Sequence, residues 1–160
     1  RKFFNQLDGV IFNVEEINTH GGSLRIYIKK NKKVKISSNV KKLLQKEKKF
    51  GLTKYKTYKK FAKNIYQIKE KVVKNISNLK KEKNKIVGYG SPAKATTALN
   101  FFGISNEIDC IVEDNKFKQG KFLPGVKIPI IAKEDLKEKP DYALVLAWNF
   151  FDEIKKKIVI

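Results

Sequence analysis

Residues 85–105, KIVGYGSPAKATTALNFFGIS, place a short apolar run directly before Gly88-Tyr89-Gly90-Ser91-Pro92-Ala93 and continue as an amphipathic segment that stops at Gly103. This G-x-G-x-x-A spacing serves one kind of chemistry, in which a strand turns sharply into a helix and the amides at the helix start meet an anion. Gly88 and Gly90 let the backbone turn and approach a ligand. Ser91 is a good N-cap, Pro92 suits the first helical position, and Ala93 replaces the third glycine where helix and strand touch. Free N–H groups between Ser91 and Lys94, together with the helix dipole, would form an anion site, and Lys94 could add a point charge. Glu113 and Asp114 follow about 20 residues on, where a carboxylate binds ribose hydroxyls. The same glycines also serve a purely structural turn, so the spacing leaves both a phosphate loop and a plain turn open.

Other strand ends add candidates at the same edge. Asn115, Lys116, Lys118 and Gln119 follow the second strand-like run, and Trp148 and Asn149 follow YALVLA. Trp148 could stack on a base or a sugar, or it could belong to the core. Near the amino terminus, THGGSLR offers His20, whose ordinary pKa of about 6.5 suits proton transfer, although a histidine before Gly-Gly also hydrogen-bonds within its turn. Arg25 could pair with a phosphate, or with Glu15 or Glu16 across a hairpin. No Ser-His-Asp arrangement, paired-carboxylate site or metal-ligand spacing is visible, and one histidine with one cysteine, Cys110, is too few for a structural zinc site.

The elements that must position these residues follow from periodicity. GVIFNVEEI (9–17) and SLRIYIK (23–29) are β-rich runs joined by a turn-forming stretch and read as a hairpin. Ser38 or Asn39 could cap a helix that stops at Gly51. Tyr58, Phe61, Ile65, Ile68, Val72, Ile76 and Leu79 recur at steps of three and four, which predicts one long helix. From Thr57 to Leu79 it would extend on the order of 35 Å at 1.5 Å per residue, its apolar stripe covering the following sheet or a neighbouring domain, with a dimeric coiled coil as the other reading. After Lys85, strand-like runs at KIVGY, IDCIVED, KIPII and YALVLA alternate with helical segments starting at Ser91, around Lys133 and around Phe150, and the terminal KIVI reads as a last strand. Alternation with continuous apolar strands means an α/β fold, a mostly parallel sheet flanked by helices; right-handed crossovers make it Rossmann-like.

Composition bounds the function classes. A hydrophobic share of 41% argues against disorder, and no apolar run reaches the roughly 20 residues of a membrane span. No signal peptide is read in RKFFNQLDGVIFNVEEI, so the expected compartment is cytoplasmic. A lone cysteine inside IDCIV excludes a disulfide framework. The net charge of +20 would suit a polyanion binder, but all the basic residues except Arg1 and Arg25 are lysines, which lack arginine's planar fork. Residues 54–85 alone hold 12 lysines and 2 glutamates, half of the net charge. A solvated lysine surface accounts for this better than nucleic-acid recognition.

In order along the chain, THGGSLRIYI, VGYGSPAKATTALNFFGI, KQGKFLPGVKIPI and PDYALVLAWNFFDEI resemble the carboxyl-terminal part of the sugar C-methyltransferase family. The resemblance runs from the first hairpin to the final helix. It implies an amino-terminal zinc-binding domain, a central S-adenosylmethionine-dependent methyltransferase domain, and a Rossmann-like carboxyl-terminal domain that helps to hold a nucleotide-diphosphate sugar. The implied reaction methylates a carbon of a keto-sugar after deprotonation to an enolate. Residues 1–35 would then carry the terminal hairpin of a methyltransferase domain otherwise outside this chain, and 36–160 the nucleotide-sugar-binding domain. The family's catalytic and cofactor motifs have no counterpart here, so the chain alone is expected to be inactive and to bind no cofactor.

Residues that carry over are His20, Gly21, Gly22, Ser23 and Arg25 at the domain junction, and Gly88, Gly90, Ser91, Ala93 and Lys94 at the nucleotide-facing loop. Tyr89, Asp114, Asn115, Lys118, Trp148 and Asn149 join them as substrate-binding candidates from the edge they share. Ala95 departs from the family, which often has glycine after the lysine. Expected partners are a nucleotide-diphosphate sugar and the protein's own upstream domains, with neither nucleic acid nor membrane, and the oligomeric state is open. The alternative is a stand-alone nucleotide or NAD(P)-binding module without methyltransferase activity.

Overall fold

The computed structural model describes residues 1–30 and 33–157, with His20 described by its backbone alone. The chain divides into two compact units, 1–63 and 64–160, the division falling inside a long helix.

In the first unit a short helix α1 (Lys2–Gln6) precedes strands β1 (Val10–Ile17) and β2 (Ser23–Lys29). These strands pair antiparallel in the expected hairpin, with Val14 opposite Ile26 and Glu15 opposite Arg25. Helix α2 (Ser38–Phe50) packs on β1, burying Val14 and Val40. Its cap is Ser37, one residue before the nearer expected candidate: the Ser37 hydroxyl oxygen accepts the Asn39 N–H at 3.2 Å. The shift has a local cause, since the Ser37 N–H donates to the Phe12 carbonyl at 2.8 Å and so ties that residue, in extended conformation, to β1.

The periodic segment forms α3 (Tyr55–Lys81), a turn longer than the apolar spacing alone requires. Its stripe divides in two. Ile76 is buried and Val72 and Leu79 pack against the core of the second unit, whereas Tyr58, Phe61 and Ile68 are about half exposed or more.

The second unit contains β3 (Ile86–Tyr89), α4 (Ala93–Phe102), β4 (Ile111–Val112), β5 (Ile130–Ile131), β6 (Tyr142–Val145) and α5 (Phe151–Lys157). The strands lie in the order β5-β4-β3-β6, every neighbouring pair parallel. That is the order of the first four strands of the Rossmann fold, 3-2-1-4, and the α/β expectation is borne out. Alternate residues sort to the two faces. Ile86, Ile111 and Ile130 join Ala95 and Leu99 of α4 and Ile76 of α3 in one apolar cluster. Val87, Val112 and Ala143 face the other way, against Leu136 and Pro140. Two carboxylates hold the amino end of β3: Asp109 accepts the Ile86 N–H at 3.2 Å and Asp141 accepts that of Lys85 at 2.7 Å.

Three expected elements differ. The glycine-loop helix starts at Ala93, with Pro92 as its N-cap residue, because Ser91 is held elsewhere (below). The helix expected around Lys133 is a single 3-10 turn, Lys133–Asp135, after which Leu136 is extended; Pro140 biases the residue before it away from helix, and no apolar stripe there rewards another turn. The segment near Phe150 opens as a 3-10 turn, Trp148–Phe150, before α5. Of the expected terminal strand KIVI, Lys157 closes α5 and residues 158–160 lie outside the described residues.

Leu99 is fully buried at the centre of the cluster, so Leu99→Ala should cost about 2–5 kcal/mol through lost contacts and the cavity left behind. Phe117→Ser, at a side chain 86% exposed, should change stability by less than about 0.5 kcal/mol. Urea unfolding followed by the emission of Trp148, which lies in the same unit, measures both.

Candidate functional site

β3 and β6 are neighbours whose chains continue into different elements, β3 through α4 to β4 on its other side and β6 into the turn before α5. Ligands of open α/β sheets settle at such a switch point, outside the carboxyl ends of the strands. A cleft of about 270 Å³ lies there, with Tyr89, Ser91, Glu113, Asp114, Ala147 and Phe150 in its lining. A larger depression of about 970 Å³ occupies the other end of the strands, where Asn84, Lys85, Asp109, Pro129 and Pro140 line it. It has no glycine loop and no start of a crossover helix, so the smaller cleft is the candidate site.

Packing within the fold accounts for both glycines. A Cβ on Gly88 would lie 2.9 Å from Leu146 Cδ1 and 3.0 Å from Ile111 Cγ1, so side chains of the neighbouring strands fill the space. Gly90 has φ +82°, where L side chains are disfavoured, and a Cβ there would meet Ala147 Cβ at 2.9 Å. The close approach that the loop permits is therefore to β6 and the turn after it.

The mouth of the loop holds an internal anion. Glu113, at the end of β4, accepts the Ser91 N–H at 2.7 Å and the Ser91 hydroxyl at 2.5 Å on Oε2, and the Asn115 N–H at 3.0 Å on Oε1. Lys118 completes the knot, donating to the Ser91 carbonyl at 3.0 Å with its ammonium 3.7 Å from Glu113 Oε2. The Ser91 amide, expected to be free for a phosphate, is thus taken, and the Ser91 hydroxyl turns to Glu113 instead of capping α4. Burial pushes the Glu113 carboxyl up, but the Ser91 hydroxyl, the Asn115 and Ser91 amides and the Lys118 charge outweigh it, leaving the pKa below the usual carboxylate value.

Asp114 is the more exposed acid. Its Oδ1 accepts the Tyr89 phenol at 3.0 Å and its Oδ2 lies 3.8 Å from Lys157 Nζ. Burial, followed by the hydrogen bond to Asp114, pushes the Tyr89 phenol up to about 12, so at neutral pH it is a donor. Asn115 folds onto its own turn, accepting the Phe117 N–H at 3.0 Å. Lys94 reaches Trp148: its ammonium sits 4.3 Å from the centroid of the indole, which is about half exposed and so lies outside the core. Asn149 occupies the same 3-10 turn.

The structure thus places Tyr89, Gly90, Ser91, Asp114 and Lys118 around one cleft and pairs Lys94 with Trp148. Ala93 is the first residue of α4. The remaining candidates belong to the first unit. His20 and Gly21 form part of the turn between β1 and β2, Gly22 follows it, and the Ser23 hydroxyl donates to the Thr19 carbonyl at 3.0 Å. Arg25 takes the hairpin option, 3.5 Å from Glu15, which also accepts the Tyr27 phenol at 2.8 Å.

Phe150, Glu153 and Lys157 also line the cleft and are not among the residues that the sequence predicts there. Their signal is present, since with Ile154 they fall at i, i+3, i+4 and i+7, one face of a helix.

Two comparisons bear on this arrangement. Residues 18–159 match the family model described as the C-methyltransferase C-terminal domain. The chain is 29% identical over 147 residues to the C-methyltransferase NovU of Streptomyces niveus, an alignment covering 90% of this chain and 35% of that protein.

Because Glu113 has a lowered pKa in the folded state, its contribution to stability is present above its unfolded value, about 4.3, and is lost as pH falls through the folded value. Glu113→Gln should therefore destabilise by about 1.5–3 kcal/mol at pH 7, the range for hydrogen bonds to a charged group. That difference should shrink below about pH 4. Urea titrations of both proteins across this range provide the check.

Proposed function

The chain belongs to the C-methyltransferase C-terminal-domain family, and from that premise we propose that it is the substrate-holding part of an S-adenosylmethionine-dependent C-methyltransferase acting on a nucleotide-linked keto-deoxysugar. The observation that carries this reading is the cleft at the β3–β6 switch point, where hydroxyl acceptors and cations stand side by side. Asp114, exposed and close to Lys157, is the carboxylate suited to sugar or ribose hydroxyls. Lys94, Lys118 and Lys157 supply the positive charge that a diphosphate requires. Glu113 shapes the loop and leaves the anion to these lysines.

Methyl transfer belongs, in this reading, to protein beyond this sequence. S-adenosylmethionine would supply the methyl group there. Zinc also does not fit this chain, since Cys110 and His20 are its only cysteine and histidine and no group of three or more metal-ligating side chains lies together among the described residues. What the described residues do is bind and orient a substrate.

Titration of the isotope-labelled chain with a thymidine-diphosphate sugar should shift the amides of residues 88–94 and 113–118, and Asp114→Ala should weaken binding by roughly tenfold, as loss of a charged hydrogen bond would. Shifts produced by NADH and not by the diphosphate sugar would replace this reading with a dinucleotide-binding module. No response to either would remove the cleft from substrate binding.

A further inference from the structure

Trp148 is the chain's only tryptophan, and about half of its surface is exposed at the turn that leaves β6. Among the described residues no aromatic ring packs against it; its face is covered by the Lys94 ammonium, 4.3 Å from the ring centroid. Lys94 comes from the other wall of the switch point, as the second residue of α4. Ala147, immediately before Trp148, lines the cleft and fills the space beside Gly90. The pair therefore stands at the rim of the candidate site, one partner from each diverging chain.

Neither partner is where the fold alone would favour it. A large indole left half exposed forgoes burial that a core tryptophan gains. A lysine in the first turn of a helix sits at the positive end of the dipole, where an anion is stabilising and a cation is not. Lys94 forms no ion pair among the described residues, and its cation–π contact with a half-exposed ring is weak. A single ligand would relieve both: a flat heteroaromatic ring for the indole face, joined to an anion for the ammonium.

We propose that Trp148 is the nucleobase platform of this site, with the base stacking on the indole face that Lys94 covers and the displaced Lys94 ammonium moving to the diphosphate. The assignment rests on the proposed nucleotide-sugar reading and adds which end of the ligand lies where. Base stacking on an aromatic side chain is tolerant of base identity and stronger than an exposed cation–π contact, so the exchange is favourable in sign. It places the base at the rim and directs the diphosphate and sugar inward, toward Lys118 and Asp114.

With one tryptophan, emission of the 160-residue chain reports on this residue alone. Thymidine diphosphate should quench it saturably, thymidine should do so at higher concentration, and inorganic pyrophosphate should leave it nearly unquenched. By amide shifts, Trp148→Ala should weaken thymidine diphosphate roughly tenfold, the scale of one base stack, while Trp148→Phe should stay within about threefold. Lys94→Ala should weaken thymidine diphosphate but not thymidine. Equal binding of thymidine diphosphate by wild type and Trp148→Ala would overturn the proposal, as would quenching by pyrophosphate that matches the nucleotide. These failures differ from failure of the underlying reading, in which the diphosphate sugar shifts no amide of the cleft at all.

Discussion

The close approach of β3 to its two neighbours is the constraint on which the second unit depends. At Gly88 the place of a side chain is taken by Leu146 on one side and Ile111 on the other, and two residues further on Gly90, at φ +82°, carries the backbone past Ala147. With that spacing, Ile86, Ile111 and Ile130 present one continuous apolar surface to α4 and to the end of α3. The same spacing creates the switch point, since the loop after β3 and the turn after β6 must start in contact before they part. Site and core thus follow from one packing requirement, and a side chain at either glycine would disturb both.

The second constraint is electrostatic. A helix start with open amides attracts an anion, and here the anion is part of the chain. Glu113 joins the end of β4 to the loop after β3 through the Ser91 amide and hydroxyl, and Lys118 ties the same loop from the following turn. The carboxylate is mostly buried, yet three donors and one cation favour its ionised form. Asp114, its neighbour in sequence, points to the opposite use: exposed, with a phenol and a lysine as its partners, it can exchange those contacts for others.

The alternation of apolar strands and periodic helices was legible because burial imposes periods of two and 3.6 on any such sheet. The hairpin, the long helix and the parallel strands all follow from it. The glycine loop was legible as a loop, but its reason was not: G-x-G-x-x-A records that a side chain is intolerable at two positions, and a neighbouring strand excludes one as effectively as a phosphate does. Likewise Glu113 has the spacing of a ribose-binding acid, and only the fold shows that the Ser91 amide lies within its reach. Arg25 and Trp148 each have two readings in sequence; in the fold Arg25 lies 3.5 Å from Glu15, and the half-exposed indole lies outside the core. At Lys133 the sequence predicts a helix where the fold has a single 3-10 turn, because a charged segment lacks the periodicity that separates the two.

The basic surplus of the chain and the charge of the candidate site are different quantities. Half of the surplus lies between residues 54 and 85, mainly on α3, where the lysines occupy the faces that the apolar stripe leaves free. In the cleft the lining acids are Glu113, Asp114 and Glu153 and the lining bases Lys118 and Lys157, so its charges nearly balance. A polyanion is held by accumulating positive charge, and a nearly balanced cleft gives it no preference over other solutes. What such a cleft offers instead is carboxylate acceptors and ammonium donors side by side, Asp114 and Lys157 being 3.8 Å apart. The net charge would then govern the solubility and long-range field of the chain, while the local pairing of carboxylate and ammonium governs what the switch point can hold.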